Sequence, residues 1–306
     1  MRRADIRSRL SHPEAPARAR NRALPLLLSL PVALFFVAAG APAPARAQAP
    51  NATLTPVARE IAREQARLSS AETEERRDAV TMLGAMARPD ASRAAAAGLG
   101  DAAPVVRATA ARAVLSLPPD EAARLVVPLL SDKQEFVRRE AAYALGLARS
   151  RVGVEDLILL VARDKDAGVR GAAAVALGQI GDGRAVAALS EALGRRVRAS
   201  GILNRATLRK TEENDFVRRA AAVSLGQIKS RDGVPALVAA LTNERAGDDV
   251  RRESARALGL IGDPSALPAL RAALAARDPY LSQIAFDALR LIDPAGAARP
   301  GAKSVR

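Results

Sequence analysis

The chain contains no cysteine and no tryptophan, one histidine (His12), and only seven phenylalanine and tyrosine residues among 306. Without cysteine there can be no disulfide, thiolate nucleophile, iron–sulfur ligand or zinc finger. With its only histidine at position 12, the rest of the chain cannot build a histidine-containing metal site or a Ser-His or Cys-His catalytic pair. What is present is apolar and charged: 49% hydrophobic and 26% charged residues place the chain among globular proteins. The apolar share is nearly all alanine, leucine and valine, which favour or tolerate helix. Its length suits one large domain or two ordinary ones.

The first 47 residues stand apart. Arg2, Arg3, Arg7, Arg9, Arg18, Arg20 and Arg22 load the start with positive charge, and residues 23–45 carry none. Ala45 and Ala47 flank Arg46 in the small-x-small pattern a signal peptidase accepts. A basic start, an apolar middle and a small-residue exit read as a secretory signal peptide, with cleavage after Ala47. The uncharged run is also long enough for an uncleaved anchor, although Pro25, Pro31, Pro42 and Pro44 shorten its helical part. The expected location is periplasmic or secreted, with membrane contact only through this segment if it is uncleaved. Eight arginines against Asp5 and Glu14 give it +6 of the formal +14, so the remainder carries a modest +8.

The remainder is one unit repeated. Val137-Arg-Arg-Glu-Ala-Ala-Tyr-Ala-Leu-Gly-Leu-Ala148 returns at Val169–Ile180, Val217–Ile228 and Val250–Ile261, with weaker copies from Glu75, Val106 and Leu281. Successive starts are 31, 31, 32, 48, 33 and 31 residues apart, the spacing of a stacked repeat array. Within a copy, Val137, Ala141, Ala144, Leu145 and Ala148 fall on one helical stripe, and another apolar stretch, here Leu125–Leu130, precedes it. Ser131–Gln134 fits a capping box, and Pro235 and Pro268 fall near helix starts. Gly84, Gly146, Gly178, Gly226 and Gly259 recur inside a helix, where glycine costs about 1 kcal/mol against alanine. Their recurrence predicts a second backbone passing close by, and Arg290 replaces them where no further unit stacks.

This period, with Val-Arg-x-x-Ala-Ala-x-Ala-Leu-Gly-x-Ile, resembles the HEAT repeat in its short PBS-lyase-like form, over roughly residues 56–293. The resemblance implies an all-α fold, a right-handed α-solenoid of about seven helix pairs. The expected organisation is a signal peptide or anchor at 1–47, a linker at 48–55, repeats at 56–293 and a tail at 294–306. Similar repeats serve scaffolds, bilin lyases, an iron-dependent hydroxylase and DNA glycosylases, so the fold alone names no function. The hydroxylase-like activity would need histidines that the array lacks. A bilin-lyase-like activity needs a shaped pocket more than a metal, and stays open.

Arg76, Arg107, Arg138, Arg170, Arg218 and Arg251 share one repeat position, which Ser282 takes in the last unit. Such a column could bind an anion. The resemblance implies instead an Asp–Arg ladder between units, with Asp132 and Asp164 as acceptors. The next position carries Arg77, Arg139, Arg219 and Arg252, expected to face solvent. Together with Tyr143, Gln179, Gln227 and Arg256 on the second helices, Arg139, Arg219 and Arg252 form the candidate partner-binding face. In related solenoids that face is concave.

The 48-residue step implies an insertion at about 195–212, bearing Arg195, Arg196, Arg198, Arg205, Arg209 and Lys210. A basic loop of this kind could hold an acidic protein, an anionic polymer or a lipid headgroup. It could equally be a tolerated surface insertion. It contains no aromatic residue for stacking bases, which disfavours nucleic acid. The expectation is a non-catalytic extracytoplasmic scaffold for a protein or peptide, with no cofactor and no metal. The alternatives are a cytoplasmic nucleic-acid-binding solenoid, which requires no export, and a lyase-like enzyme.

Overall fold

A computed structural model of the protein describes residues 54–198 and 210–296. Each repeat copy forms a pair of antiparallel helices. The pairs are α1 (Pro56–Arg67) with α2 (Thr73–Ala85), α3 (Pro89–Ala95) with α4 (Pro104–Ala113), α5 (Pro119–Val126) with α6 (Glu135–Ala148), and α7 (Val154–Arg163) with α8 (Ala167–Ile180). They continue as α9 (Val186–Gly194) with α10 (Asp215–Ile228), α11 (Val234–Thr242) with α12 (Asp248–Ile261), and α13 (Leu267–Ala273) with α14 (Pro279–Ile292). Short 3-10 turns at Ala96–Gly100 and Val127–Ser131 extend α3 and α5.

Local chemistry sets these boundaries. Proline occupies the first turn of α1, α3, α4, α5, α11, α13 and α14, where its missing N–H is not needed. Asp166 caps α8 by accepting from the Val169 amide, and Asn214 caps α10 by accepting from Phe216. The capping box expected at Ser131–Gln134 does not form: Gln134 precedes α6 without a side-chain cap. Asp132 instead accepts the Gln134 amide at 2.9 Å, because it closes the preceding turn and is held by Arg107. Gly181 and Gly262 end α8 and α12 in the left-handed region, with φ of +74° and +76°.

The second helices (α2, α4, α6, α8, α10, α12, α14) pack in one continuous row, and the first helices lie against it as the other layer. Between the layers Leu145, Leu177, Leu225 and Leu258 are fully buried, each contributing about 1.5–3 kcal/mol. The core is divided: α4 gives Val106, Ala110 and Ala113 to a small cluster with α1–α3, and Ala108 and Ala111 to the cluster that runs on to α14.

Several of the recurrent glycines mark close approaches of a neighbouring backbone, whereas Gly178 faces the Ser224 and Gln227 side chains. A Cβ on Gly146 would come within 2.8 Å of the Ala176 Cα, one on Gly226 within 2.9 Å of Ala257, and one on Gly259 within 2.8 Å of Ala288. Arg290 is exposed on the outer side of α14.

The insertion is rooted in an antiparallel ribbon, β1 (Arg196–Arg198) with β2 (Lys210–Glu212), between α9 and α10. Arg205 and Arg209 lie outside the described residues, as do Ala45, Ala47 and the whole 1–47 segment. Among the described residues no helix is long and apolar enough to cross a membrane.

Candidate interaction surface

The arginine column joins consecutive pairs through the first four units. Arg76 holds Asp101, Arg107 holds Asp132 and Arg138 holds Asp164, each with Nε at 2.7 Å and Nη2 at 2.9 Å from the carboxylate. Arg170 does the same to Glu213, at 2.9 and 2.5 Å. The hydrogen bonds from Arg76 and Arg107 pull the Asp101 and Asp132 carboxyls below their ordinary value. At Asp164 burial pushes upward most strongly, yet the bonds from Arg138 and the Asp166 amide outweigh it and the pKa is lowered.

A second bond recurs in this column. Arg107, Arg138 and Arg170 each donate Nη1 at 2.8 Å to the carbonyl of the aspartate that closes their own unit's first helix or turn. Such carbonyls are otherwise unpaired helix ends.

Beyond Arg170 the expected ladder changes form. Arg218 turns to the Leu193 carbonyl at 3.1 Å and to Glu212, and Arg251 turns to the Leu241 carbonyl at 3.1 Å. In both units a longer connection follows the first helix, which ends at Arg195 or Asn243 where earlier units place an acid. Arg252, expected to face solvent as a partner-binding residue, is engaged instead. It pairs with Asp278 at 2.7 and 3.0 Å and lies 5.2 Å from the Tyr280 ring centre. Ser282 keeps only carbonyl partners, the shortest bond going to Leu274 at 2.9 Å.

The other candidate binding residues fall at joints between second helices. Arg219 approaches Asp249 at 3.6 Å, and Arg139 lies beside Gly168. Tyr143 is half-buried against the core. Gln179 lays its amide over Gly146, where its Oε1 is buried without a hydrogen-bond partner, and Gln227 lies over Gly178. Arg256 is exposed, 3.6 Å from Glu253. Arg195, expected on a free basic loop, is mostly buried: it donates to the Val161 carbonyl at 2.9 Å and lies 3.6 Å from Glu213. It fastens the root of the insertion to the preceding unit. Arg196 and Arg198 lie opposite Glu212 and Lys210 in the ribbon.

An open groove of 580 Å³ lies over α2, α4 and α6. Thr81 and Gly84 come from α2, Ala108, Thr109, Arg112 and Ala113 from α4, and Phe136 and Glu140 from α6. It runs along α4, between α2 and the first turns of α6. Thr81 and Thr109 donate their hydroxyls to the Arg77 and Val105 carbonyls of their own helices, at 2.9 and 2.8 Å. They therefore offer the groove methyl groups. Thr81 and Arg112 occupy the repeat position of Tyr143 and Arg256, and Thr109 that of Glu140, so the groove-lining residues were available from the repeat alignment.

A profile of HEAT repeats matches residues 62–146, 126–204 and 205–290. The chain belongs to the HEAT-repeat family. No curated protein sequence matches it. Among solved structures this HEAT-repeat chain is similar to Escherichia coli YibA, at 20% identity over 76% of this chain and 81% of that one, with a TM-score of 0.53. An engineered protein aligns at 23% identity over 76% and 68% of the two chains, with a TM-score of 0.50. The complex of CpcE and CpcF of phycocyanin lyase from Nostoc aligns at 23% identity over 82% and 91%, with a TM-score of 0.45. At such identities the likeness speaks to the fold alone. Among the described residues no group of three or more His, Cys, Asp or Glu could hold a metal ion.

Proposed function

We propose that this HEAT-repeat protein is an extracytoplasmic scaffold that binds a protein or peptide along its row of second helices. The groove over α2, α4 and α6 carries the reading, since it is an apolar concavity on a surface built of rigid, stacked helices. The glycine positions let neighbouring second helices pack closely, which favours a continuous, rigid row as the binding surface. The column arginines are taken up by carboxylates and carbonyls, which favours a protein over a phosphate polymer as partner. Location outside the cytoplasm rests on the basic, apolar and small-residue order of residues 1–47. The basic insertion would add electrostatic steering of an acidic partner.

Two measurements test this. The intact mass of the native protein from periplasmic, membrane and cytosolic fractions should begin at Gln48 outside the cytosol, and a full-length cytosolic species would refute export. A photocrosslinking residue at Thr109 should capture a discrete protein that the same residue at Leu159, exposed on α7, does not. Equal labelling from both positions would refute the face.

A further inference from the structure

The groove also restricts the shape of what it can hold, provided that the second-helix row is a binding face as read above. Its floor is Gly84, Ala108, Phe136 and the methyls of Thr81 and Thr109. Both threonine hydroxyls are already donated to carbonyls, and the floor's backbone belongs to helices. An extended peptide laid there would bury N–H and C=O groups with nothing to receive them. A helix brings its own backbone bonds and presents only side chains.

The rim adds a charge. Arg112 is 61% exposed and meets Glu140 only at 3.8 Å, beyond hydrogen-bond range. A guanidinium offers five N–H donors in a planar fork that matches a carboxylate. We propose that the groove over α2, α4 and α6 docks an amphipathic helix of a partner protein, apolar face down, with an acidic side chain on Arg112. The groove volume of 580 Å³ suits the anchoring side chains of such a helix, and the rest of the cylinder lies across the row.

Two displayed peptide libraries distinguish helix from strand: one on a rigid helical-hairpin scaffold, and one linear and interrupted by proline. Panned on the native protein, the helical library should yield binders rich in apolar residues at i, i+3, i+4 and i+7, with acid at the flank. Thr109→Arg, which fills the groove, should weaken them at least tenfold while the circular-dichroism melt is unchanged. Arg112→Glu should shift the selected flank from acidic to basic. Enrichment of the linear library alone, or binders indifferent to both variants, would overturn the proposal. So would sedimentation of the native protein as a dimer that Thr109→Arg dissociates, which would make the occupant a second copy. If Thr109 crosslinks a native partner while no helix is selected, the scaffold reading stands and this one falls. If helices are selected but no native protein is captured, the failure belongs to the scaffold reading.

Discussion

The joint between the third and fourth units and the joint between the sixth and seventh solve one problem in two ways. At both, a helix glycine lets the next backbone in so closely that a Cβ in its place would lie 2.8 Å from the neighbouring Cα, Gly146 against Ala176 and Gly259 against Ala288. At both, an arginine grips an aspartate with two bonds. In the earlier joint that arginine is Arg138, at the column position; in the later it is Arg252, one residue further on. The connection before α12 ends at Gly247, and Arg251 is drawn back to the Leu241 carbonyl. Close backbone approach is therefore the constant of these joints, while the ion pair follows whichever arginine the preceding connection leaves free to reach across.

Overpacking should strike both joints alike and hardest. Gly146→Leu and Gly259→Leu should each cost about 3 kcal/mol in urea unfolding, since backbone atoms cannot yield as side chains do. Gly100→Ala, where a Cβ would meet nothing within 4 Å, is the neutral control. A large loss at only one joint would break the equivalence.

Removing the column arginine should separate the joints. Arg138→Ala takes away a pair whose side chains are 8% and 5% exposed and strands Asp164, at a cost of about 3 kcal/mol. Arg251→Ala gives up one carbonyl bond, worth about 1 kcal/mol. Equal effects would show that Arg251 does more than its geometry indicates.

Acid sharpens the same contrast through the carboxylates. Asp101, Asp132, Asp164 and Asp278 are all held below the usual value of 3.8, and Asp182, bonded by the Arg184 side chain and amide, falls to about 2. A folded-state pKa below the unfolded one means stability that is complete above pH 3.8 and declines as pH falls toward the folded values. Unfolding free energy should thus be flat down to about pH 4 and drop below it. Asp182→Asn should flatten that drop between roughly pH 4 and pH 2. The smallest effect is expected at Arg219, exposed and 3.6 Å from Asp249: Arg219→Ala should stay within about 0.5 kcal/mol.

Most of the helical array was legible because its causes repeat. Steps near 31 residues, the leucine stripe, the glycine column and the arginines through Arg138 each follow from a contact made again in several units. Glu213 was not legible as the partner of Arg170, because the insertion places it 43 residues on and in the form of glutamate. Nor was the exchange of Arg251 for Arg252, which depends on where a five-residue connection leaves one carbonyl. The groove escaped because it is a space between side chains of three helices, and periodicity records what is present. Arg195 was misplaced for a related reason: as a basic residue at the edge of an insertion it reads as loop, but it serves the fold.

The bond from each column residue to its own unit's closing carbonyl has a consequence for how such a chain can change. From Arg107 to Ser282, every pair carries its own stopper, so it is a self-closing cassette. Cutting out α7 and α8 would bring Arg138 opposite Glu213, again an acid, with no helix end left open. The length of the array could therefore drift by whole cassettes while the groove at its beginning stayed intact.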